Sequence, residues 1–425
     1  MESGASSAQW IFYLSCAAFF VLPMGTTPFT IIGFCILSVW VFSGEFIRVG
    51  KNCLRVAWFL PVLAAVTLIW SGLIWSPEPA GLGFRYASKT YYWLYALALA
   101  SIASLKRPRE YLVKAFLGGL LLNTFVGFLQ LADMIPRFSD WGSRGYSGFN
   151  GGYNTLGILL VLGMMAGSYY YRTGVRREQK TVYAFLILAY FCHLIILESR
   201  GGYLTFILLS PIIFNNIFQG KRFIWILVAC VIALGSMYSS PIVRHRMNQA
   251  NQDLHHHLNS TGGDNWGEKY SKHMDRIYMW RWAIKLFGQN PLLGVGTGGY
   301  RQAVLSAGGN AAIDHPHSNF LYVAASFGMV GLFIFGWLFW VLLKTGWKNR
   351  ENAIGFFVLA ATLVLLVGGL TETHILDSGG AFLLAVTTGL QSSVEQRTPG
   401  KDSEVFEMRG ASRYSFGNRG VPYGK

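Results

Sequence analysis

Charge is scarce in this chain. Only 13% of its 425 residues are charged, while 52% are hydrophobic and 16% aromatic; soluble domains carry about a quarter charged residues, so an ordinary soluble globule is excluded. Acidic residues are the scarcer kind, 20 against 35 Lys and Arg, for a net charge of +15. Cysteine is absent from the predicted external loops: Cys16, Cys35, Cys53, Cys192 and Cys230 fall in apolar runs or on their cytoplasmic side, so no disulfide framework braces those loops. No Lys or Arg precedes Arg48; the first apolar stretch therefore lacks the basic flank of a signal peptide and is expected to be a retained span. The external loops also lack an Asp-x-Asp pair, so chemistry there is expected to need no metal. No internal repeat stands out.

Apolar runs are what the chain has in abundance. A span needs about 20 mostly apolar residues, and twelve runs approach this, at about 10–25, 29–46, 57–75, 90–105, 111–131, 155–171, 181–197, 202–218, 222–238, 319–343, 354–371 and 376–391. Five alternate loops hold sixteen basic residues: Arg48, Lys51, Arg55; Lys106, Arg107, Arg109, Lys114; Arg172, Arg176, Arg177, Lys180; Lys221, Arg222; and Lys344, Lys348, Arg350. The opposite short loops hold only Arg85, Lys89, Arg137, Arg144 and Arg200. The positive-inside rule then puts both termini in the cytoplasm. The net positive charge is mostly this topological bias and gives little reason to expect nucleic acid. The chain divides into nine spans (1–238), one large external loop with short helices (239–318), three spans (319–391) and a Ser/Gly/Arg-rich cytoplasmic tail (392–425) expected to be disordered.

Seven of the nine histidines lie between His245 and His317, in the one sizeable polar region. Its segment from Met247 to Gly267 is Gly/Asn/His-rich and expected to be irregular; residues 274–288 are expected to be helical, with Trp280, Ala283 and Phe287 within about 40° of Arg276. Arg276 on that apolar stripe is either a snorkelling stem or a planar donor fork held for an anion. Arg200 sits in the short hairpin Glu198-Ser199-Arg200-Gly201-Gly202, where it could pair with Glu198, cap a helix, or stand beside a backbone phosphate cradle. Arg144 opens the Gly/Asn-rich run that ends at Asn154, which is a re-entrant turn or a ligand approach. These three arginines lie on the side that usually avoids positive charge, which suggests an anionic ligand at the outer leaflet.

The segment His315-Pro316-His317-Ser318-Asn319-Phe320 closes the polar region and opens a long apolar run. His317 is expected in the first turn of the tenth span, as a capping residue or as a general base, since imidazole titrates near neutrality. His315 is the expected orienting neighbour, and Asn319 could orient the ring or bind a sugar hydroxyl. The run Gly294-Val295-Gly296-Thr297-Gly298-Gly299 matches a dinucleotide fingerprint in letters but lacks its strand–helix context, so a flexible turn is expected. The run His255-His256-His257 is expected to be loop, since adjacent histidines cannot all face one ion.

Four stretches in order resemble the bacterial O-antigen ligase family, within the larger group that includes O-antigen polymerases and O-oligosaccharyltransferases. They are Arg144 to Asn154; Arg200-Gly201-Gly202-Tyr203-Leu204; Arg276-Ile277-Tyr278-Met279-Trp280 on to Pro291-Leu292-Leu293-Gly294-Val295-Gly296; and His317-Ser318-Asn319-Phe320-Leu321 with Gly328 and Gly331. The last reads His-Ser-Asn where many relatives have His-Asn. The resemblance implies an all-helical, GT-C-like membrane glycosyltransferase of the bacterial inner membrane with a periplasmic active site. It would move a polysaccharide from undecaprenyl pyrophosphate to the lipid A–core oligosaccharide, without a cofactor. On this reading Arg200 and Arg276, helped by Arg144 or Lys89, hold the pyrophosphate; His317 deprotonates the acceptor; the anomeric centre inverts; and Glu372 and Asp377 orient acceptor or histidine. Alternatives are a polymerase with a second lipid-linked glycan as acceptor, a protein-glycosylating enzyme, disfavoured by the short tail, or a lipid-linked glycan flippase. The last would need intramembrane polar groups, for which Glu45 and His193 are the nearest candidates.

Overall fold

Where water is excluded, a backbone can satisfy its polar groups only within itself, and long apolar runs therefore fold as helix. The computed structural model of the protein describes residues 2–50, 53–105, 109–138, 145–219, 223–259, 276–309 and 314–395, and every regular element among them is helical. In chain order they are α1 (Glu2–Val21), α2 (Thr26–Phe42), α3 (Glu45–Gly50), α4 (Phe59–Ser71), α5 (Phe84–Ser88), α6 (Trp93–Ala100), α7 (Glu110–Leu131), α8 (Tyr153–Thr173), α9 (Arg177–Ile196), α10 (Arg200–Phe218) and α11 (Phe223–Ser239). There follow α12 (Pro241–Asn259), α13 (Arg276–Gln289), α14 (Tyr300–Ser306), α15 (Asn319–Lys348), α16 (Ala353–Gly368) and α17 (Ser378–Glu395). Each apolar run falls on a helix, the run 90–105 being α6 with short 3-10 turns on either side. Among the described residues, five helices are long and apolar enough to cross a membrane, and the pair α11–α12, bent by 77°, would make a sixth.

The centre is α8, buried without interruption from Thr155 to Tyr170, as expected for a helix that is apolar all round. It packs against α9, α10 and α16. Outer helices instead expose large apolar side chains such as Phe34, Phe42, Phe185, Ile224 and Phe333, a surface suited to lipid rather than water. Helices α8 and α10 cross where both carry glycine: a Cβ on Gly157 would lie 2.6 Å from Ser199 Oγ and 3.1 Å from Gly202 Cα. Such small residues let two backbones approach closely. The Ser199 hydroxyl accepts from Gly202 N (3.1 Å) and caps α10, which places Arg200 in the first turn.

The glycine-rich run 294–299 is no flexible turn. Residues 294–300 are all buried, and the run fills the break in α15 at Gly328, where φ is +61°. Val295 and Gly296 donate to the carbonyls of Ala325 and Ser326 (both 2.9 Å), while Met329 and Val330 donate to those of Pro291 and Leu292 (2.8 and 3.3 Å). Thus the backbone groups released by the kink find partners in the loop, the condition for a broken helix at membrane depth. Thr297 ties the same loop to α4 through the carbonyls of Ile69 and Gly72.

Three other expectations need correction. The polar segment after Met247 is helical as far as Asn259, because α12 continues through it; residues 260–275 lie outside the described set. His255, His256 and His257 therefore occupy successive helix positions, about 100° apart. The buried face of α13 runs through Met279, Ala283 and Leu286, rotated from the stripe centred on Arg276. Trp280 and Phe287, which set the expected stripe, are only half-buried, whereas Tyr278 is buried as well. Finally, α17 runs to Glu395, past the expected end at 391, and 396–425 lie outside the described residues. Glu45 is paired with Arg48 (2.6 Å), and His193 bonds Thr124 Oγ1 (2.9 Å) and the Tyr146 carbonyl (2.8 Å); both are structural links.

Gly296 has φ +85°, and a Cβ there would sit 2.5 Å from the Gly72 carbonyl. Gly296→Ala should therefore cost roughly 1–3 kcal/mol and lower the Tm in detergent, whereas Gly336→Ala, which meets nothing within 4 Å, should not. Equal Tm values for the two variants would refute the packed-loop account.

Candidate active site

The loop joining α16 to α17, residues 369–377, carries the site's acid. It is fastened beneath the start of α15 by Asn319, which is fully buried. The Asn319 N–H donates to the Gly369 carbonyl (2.7 Å), its Oδ1 accepts from Ile375 N (3.1 Å), and its Nδ2 donates to the Leu365 carbonyl (3.4 Å). Asn319 thus holds the loop rather than the His317 ring. Ser318 is the N-cap of α15, its Oγ accepting from Leu321 N (3.4 Å), so His317 precedes the first turn instead of lying in it. The residue takes a left-handed conformation, φ +49°, uncommon for a side chain other than glycine and typical of functional positions.

Glu372 is the hub. Its Oε1 lies 2.5 Å from His317 Nδ1 and accepts from Thr373 N (3.1 Å). Its Oε2 accepts from Asn154 Nδ2 (2.6 Å) and from Arg276 Nη2 (3.3 Å). The carboxylate is 11% exposed, against 23% for His317 and 25% for Arg276. Burial would raise the Glu372 carboxyl, but the hydrogen bond and charge of His317, then Arg276, outweigh it and bring the group from its ordinary 4.5 to about 2. A carboxylate at Nδ1 fixes the tautomer: the proton sits on Nδ1 and the Nε2 lone pair is available as a base. His315 accepts at Nδ1 from the His317 N–H (3.4 Å), and its ring centroid lies 4.7 Å from that of His317. Burial, followed by the charge of His317, lowers His315 to about 4, so it stays a neutral acceptor.

A cavity of about 700 Å³ opens beside this cluster. His315, His317, Glu372 and Asp377 line it together with Arg85, Lys89 and residues 151–155. Lys89 donates to the Leu376 carbonyl, and burial lowers its ammonium pKa, with Asp377 opposing. Asp377 caps α17, its Oδ2 accepting from Gly380 N (3.3 Å) and from Thr155 Oγ1 (2.6 Å). Arg276 reaches the cavity wall through Glu372. Arg200 points toward α12, donating to Gln249 Oε1 (3.4 Å), while its neighbour Gly201 abuts Thr371, whose Oγ1 is 3.0 Å from a Cβ built there. Arg144 lies outside the described residues. The structure therefore brings His315, His317, Arg276, Glu372, Lys89 and Asp377 around one cluster, with Arg200 at its border. Asn154, Thr155, Thr373 and Arg85 were missed as site residues; only the Gly/Asn-rich approach to α8 hinted at the first two.

Ligand atoms of His315, His317 and Glu372 lie within 4.8 Å of one another, close enough to raise the question of a metal. Two atoms bound to one ion at about 2.0–2.1 Å in tetrahedral geometry stand more than 3 Å apart. At 2.5 Å, His317 Nδ1 and Glu372 Oε1 are placed for a hydrogen bond, and these two atoms would have to part to ligate one ion together.

Residues 184–336, about a third of the chain, match the family model described as O-Antigen ligase. The match runs from within α9 to beyond the break in α15 and contains Arg200, Arg276 and His317, while Asn154 and Glu372 lie outside it. No curated protein matches the chain.

Because the Glu372 carboxyl is depressed in the folded state, its stabilising effect is present above about pH 4.5 and is lost as pH falls toward about 2. The Tm of the wild type should fall over that window more steeply than that of Glu372→Gln; parallel curves would contradict the pairing.

Proposed function

We propose that this protein is an O-antigen ligase: a glycosyltransferase of the bacterial inner membrane that moves a polysaccharide from undecaprenyl pyrophosphate to the lipid A–core oligosaccharide. The observation that carries the reading is the Glu372 carboxylate shared by His317 and Arg276, within and beside the segment that matches the family model. In this proposal the twelve apolar helices or helix strings span the membrane in a GT-C-like arrangement. Both termini are cytoplasmic and the His317 cavity is periplasmic.

His317 Nε2 takes the proton of an acceptor hydroxyl as its oxygen attacks the anomeric carbon. The pyrophosphate leaves from the opposite face, so the configuration inverts in one displacement. Glu372 holds Nδ1–H and stabilises the imidazolium as it forms. Arg276 and Arg200 offset the charge developing on the leaving pyrophosphate, with Lys89 and Arg85 supplying further positive potential at the cavity. Such a leaving group needs no strong acid, and the step needs no metal. An O-antigen polymerase would use the same residues with a second lipid-linked glycan as acceptor, so the acceptor decides between the two.

Purified protein given lipid-linked glycan and lipid A–core should lengthen the core acceptor without ATP and in the presence of EDTA. Extension of the lipid-linked glycan alone would identify a polymerase, and movement of glycan without a new glycosidic bond a flippase. His317→Ala should remove transfer while leaving the protein folded, with a lower Tm because the buried Glu372 loses a partner, and Arg200→Lys or Arg276→Lys should reduce transfer at least about tenfold because the planar fork is lost. Full activity in His317→Ala would eliminate the base assignment.

A further inference from the structure

Asn154 and Thr373 line the His317 cavity, and each carries a buried side-chain oxygen, Oδ1 and Oγ1, that has no hydrogen-bond partner among the described residues. Thr373 is only 2% exposed. Both residues are held in place from elsewhere. Asn154 is anchored by Nδ2 on Glu372 Oε2 (2.6 Å); Thr373 is anchored by its N–H on Glu372 Oε1 (3.1 Å) and by its carbonyl, which accepts from Leu376 N (3.1 Å). Buried oxygens left without partners are unfavourable and uncommon, and on residues that line a cavity they point to a ligand that completes the set when these side chains turn toward it.

The chemistry of the pair narrows the ligand. An amide oxygen only accepts, so its partner must carry a donor, which excludes a fully ionised phosphate. The Glu372 carboxylate beside it repels a phosphate as well. A hydrocarbon chain would leave both oxygens unpaired. A hydroxyl group donates and accepts, so neighbouring hydroxyls of a sugar ring can serve the amide oxygen and the threonine hydroxyl together.

We infer that Asn154 and Thr373 form a subsite for the acceptor sugar, binding hydroxyls adjacent to the one that His317 deprotonates. The assignment to the acceptor rests on the glycosyl-transfer reading: both residues hang on the carboxylate that aims the base, and the base must meet the acceptor. Asn154 then has two tasks. One end of its amide helps fix Glu372, and the other meets the sugar, so binding of the acceptor and orientation of the His317 ring are coupled.

The test uses the purified full chain in nanodiscs and two readouts. Saturation-transfer NMR with free glucose, galactose, N-acetylglucosamine and heptose reads sugar binding without requiring transfer. Steady-state kinetics read KM for donor and acceptor separately. Thr373→Val keeps the shape and removes the hydroxyl; it should weaken binding of at least one of these sugars about five- to tenfold and raise the acceptor KM in proportion, with the donor KM within about twofold. Thr373→Ser should restore both, which separates lost contact from lost folding. Asn154→Ala should weaken sugar binding similarly and also lower kcat. A wild type that binds none of the four sugars, a Thr373→Val protein that binds them all as the wild type does, or a KM change confined to the donor would each overturn the subsite. Sugar binding that depends on Thr373 in a protein that transfers no glycan would uphold the subsite and sink the transferase reading.

Discussion

The carboxylate of Glu372 is the constraint on which the site depends. A single acidic group, nearly withdrawn from water, accepts from an imidazole, an amide, a guanidinium and a backbone N–H. Removing an ion from water is costly unless its lone pairs are met, and here four donors meet them. The arrangement orders three distant parts of the chain at once: the start of α8, the start of α13 and the turn before α15. It also gives the imidazole one proton-bearing nitrogen and one basic nitrogen, which acid–base chemistry on a hydroxyl requires.

The rest of the fold keeps that carboxylate in position. Asn319 ties the 369–377 loop to the head of α15, and the 291–299 loop repairs the break lower in the same helix. The glycine contact between α8 and α10 holds Ser199 at the head of α10 and brings Gly201 against Thr371, next to Glu372. Each device spends buried polar groups or small residues on backbone placement, so the side chains that face the cavity are presented from rigid neighbours rather than from a free loop.

Much of this was legible in the sequence, for definable reasons. Apolar runs follow from composition, and helices lie under all twelve because membrane-length apolar stretches have few other ways to satisfy their backbone. Histidine before a long apolar segment, and arginines on the loops that should avoid them, marked the site in one dimension. What sequence could not show was pairing across hundreds of residues: Glu372 read as a loop acid orienting acceptor or histidine, without its links to Arg276 and Asn154, and Asn154 as the end of a glycine-rich approach. The run 294–299 looked loose because glycine and threonine are turn residues, whereas its partners, the carbonyls freed at Gly328, carry no letter of their own. Arg200 stood out by charge, yet its contact with Gln249 depends on a helix that composition alone described as irregular.

The central claim is that Glu372 holds the proton of His317 on Nδ1 and leaves Nε2 as the base. Nitrogen-15 NMR of the wild-type protein with labelled histidine, assigned by comparison with His317→Ala, measures this directly at neutral pH. The account predicts a protonated Nδ1 and an unprotonated Nε2 for His317; a proton found on Nε2 with Nδ1 bare would contradict it.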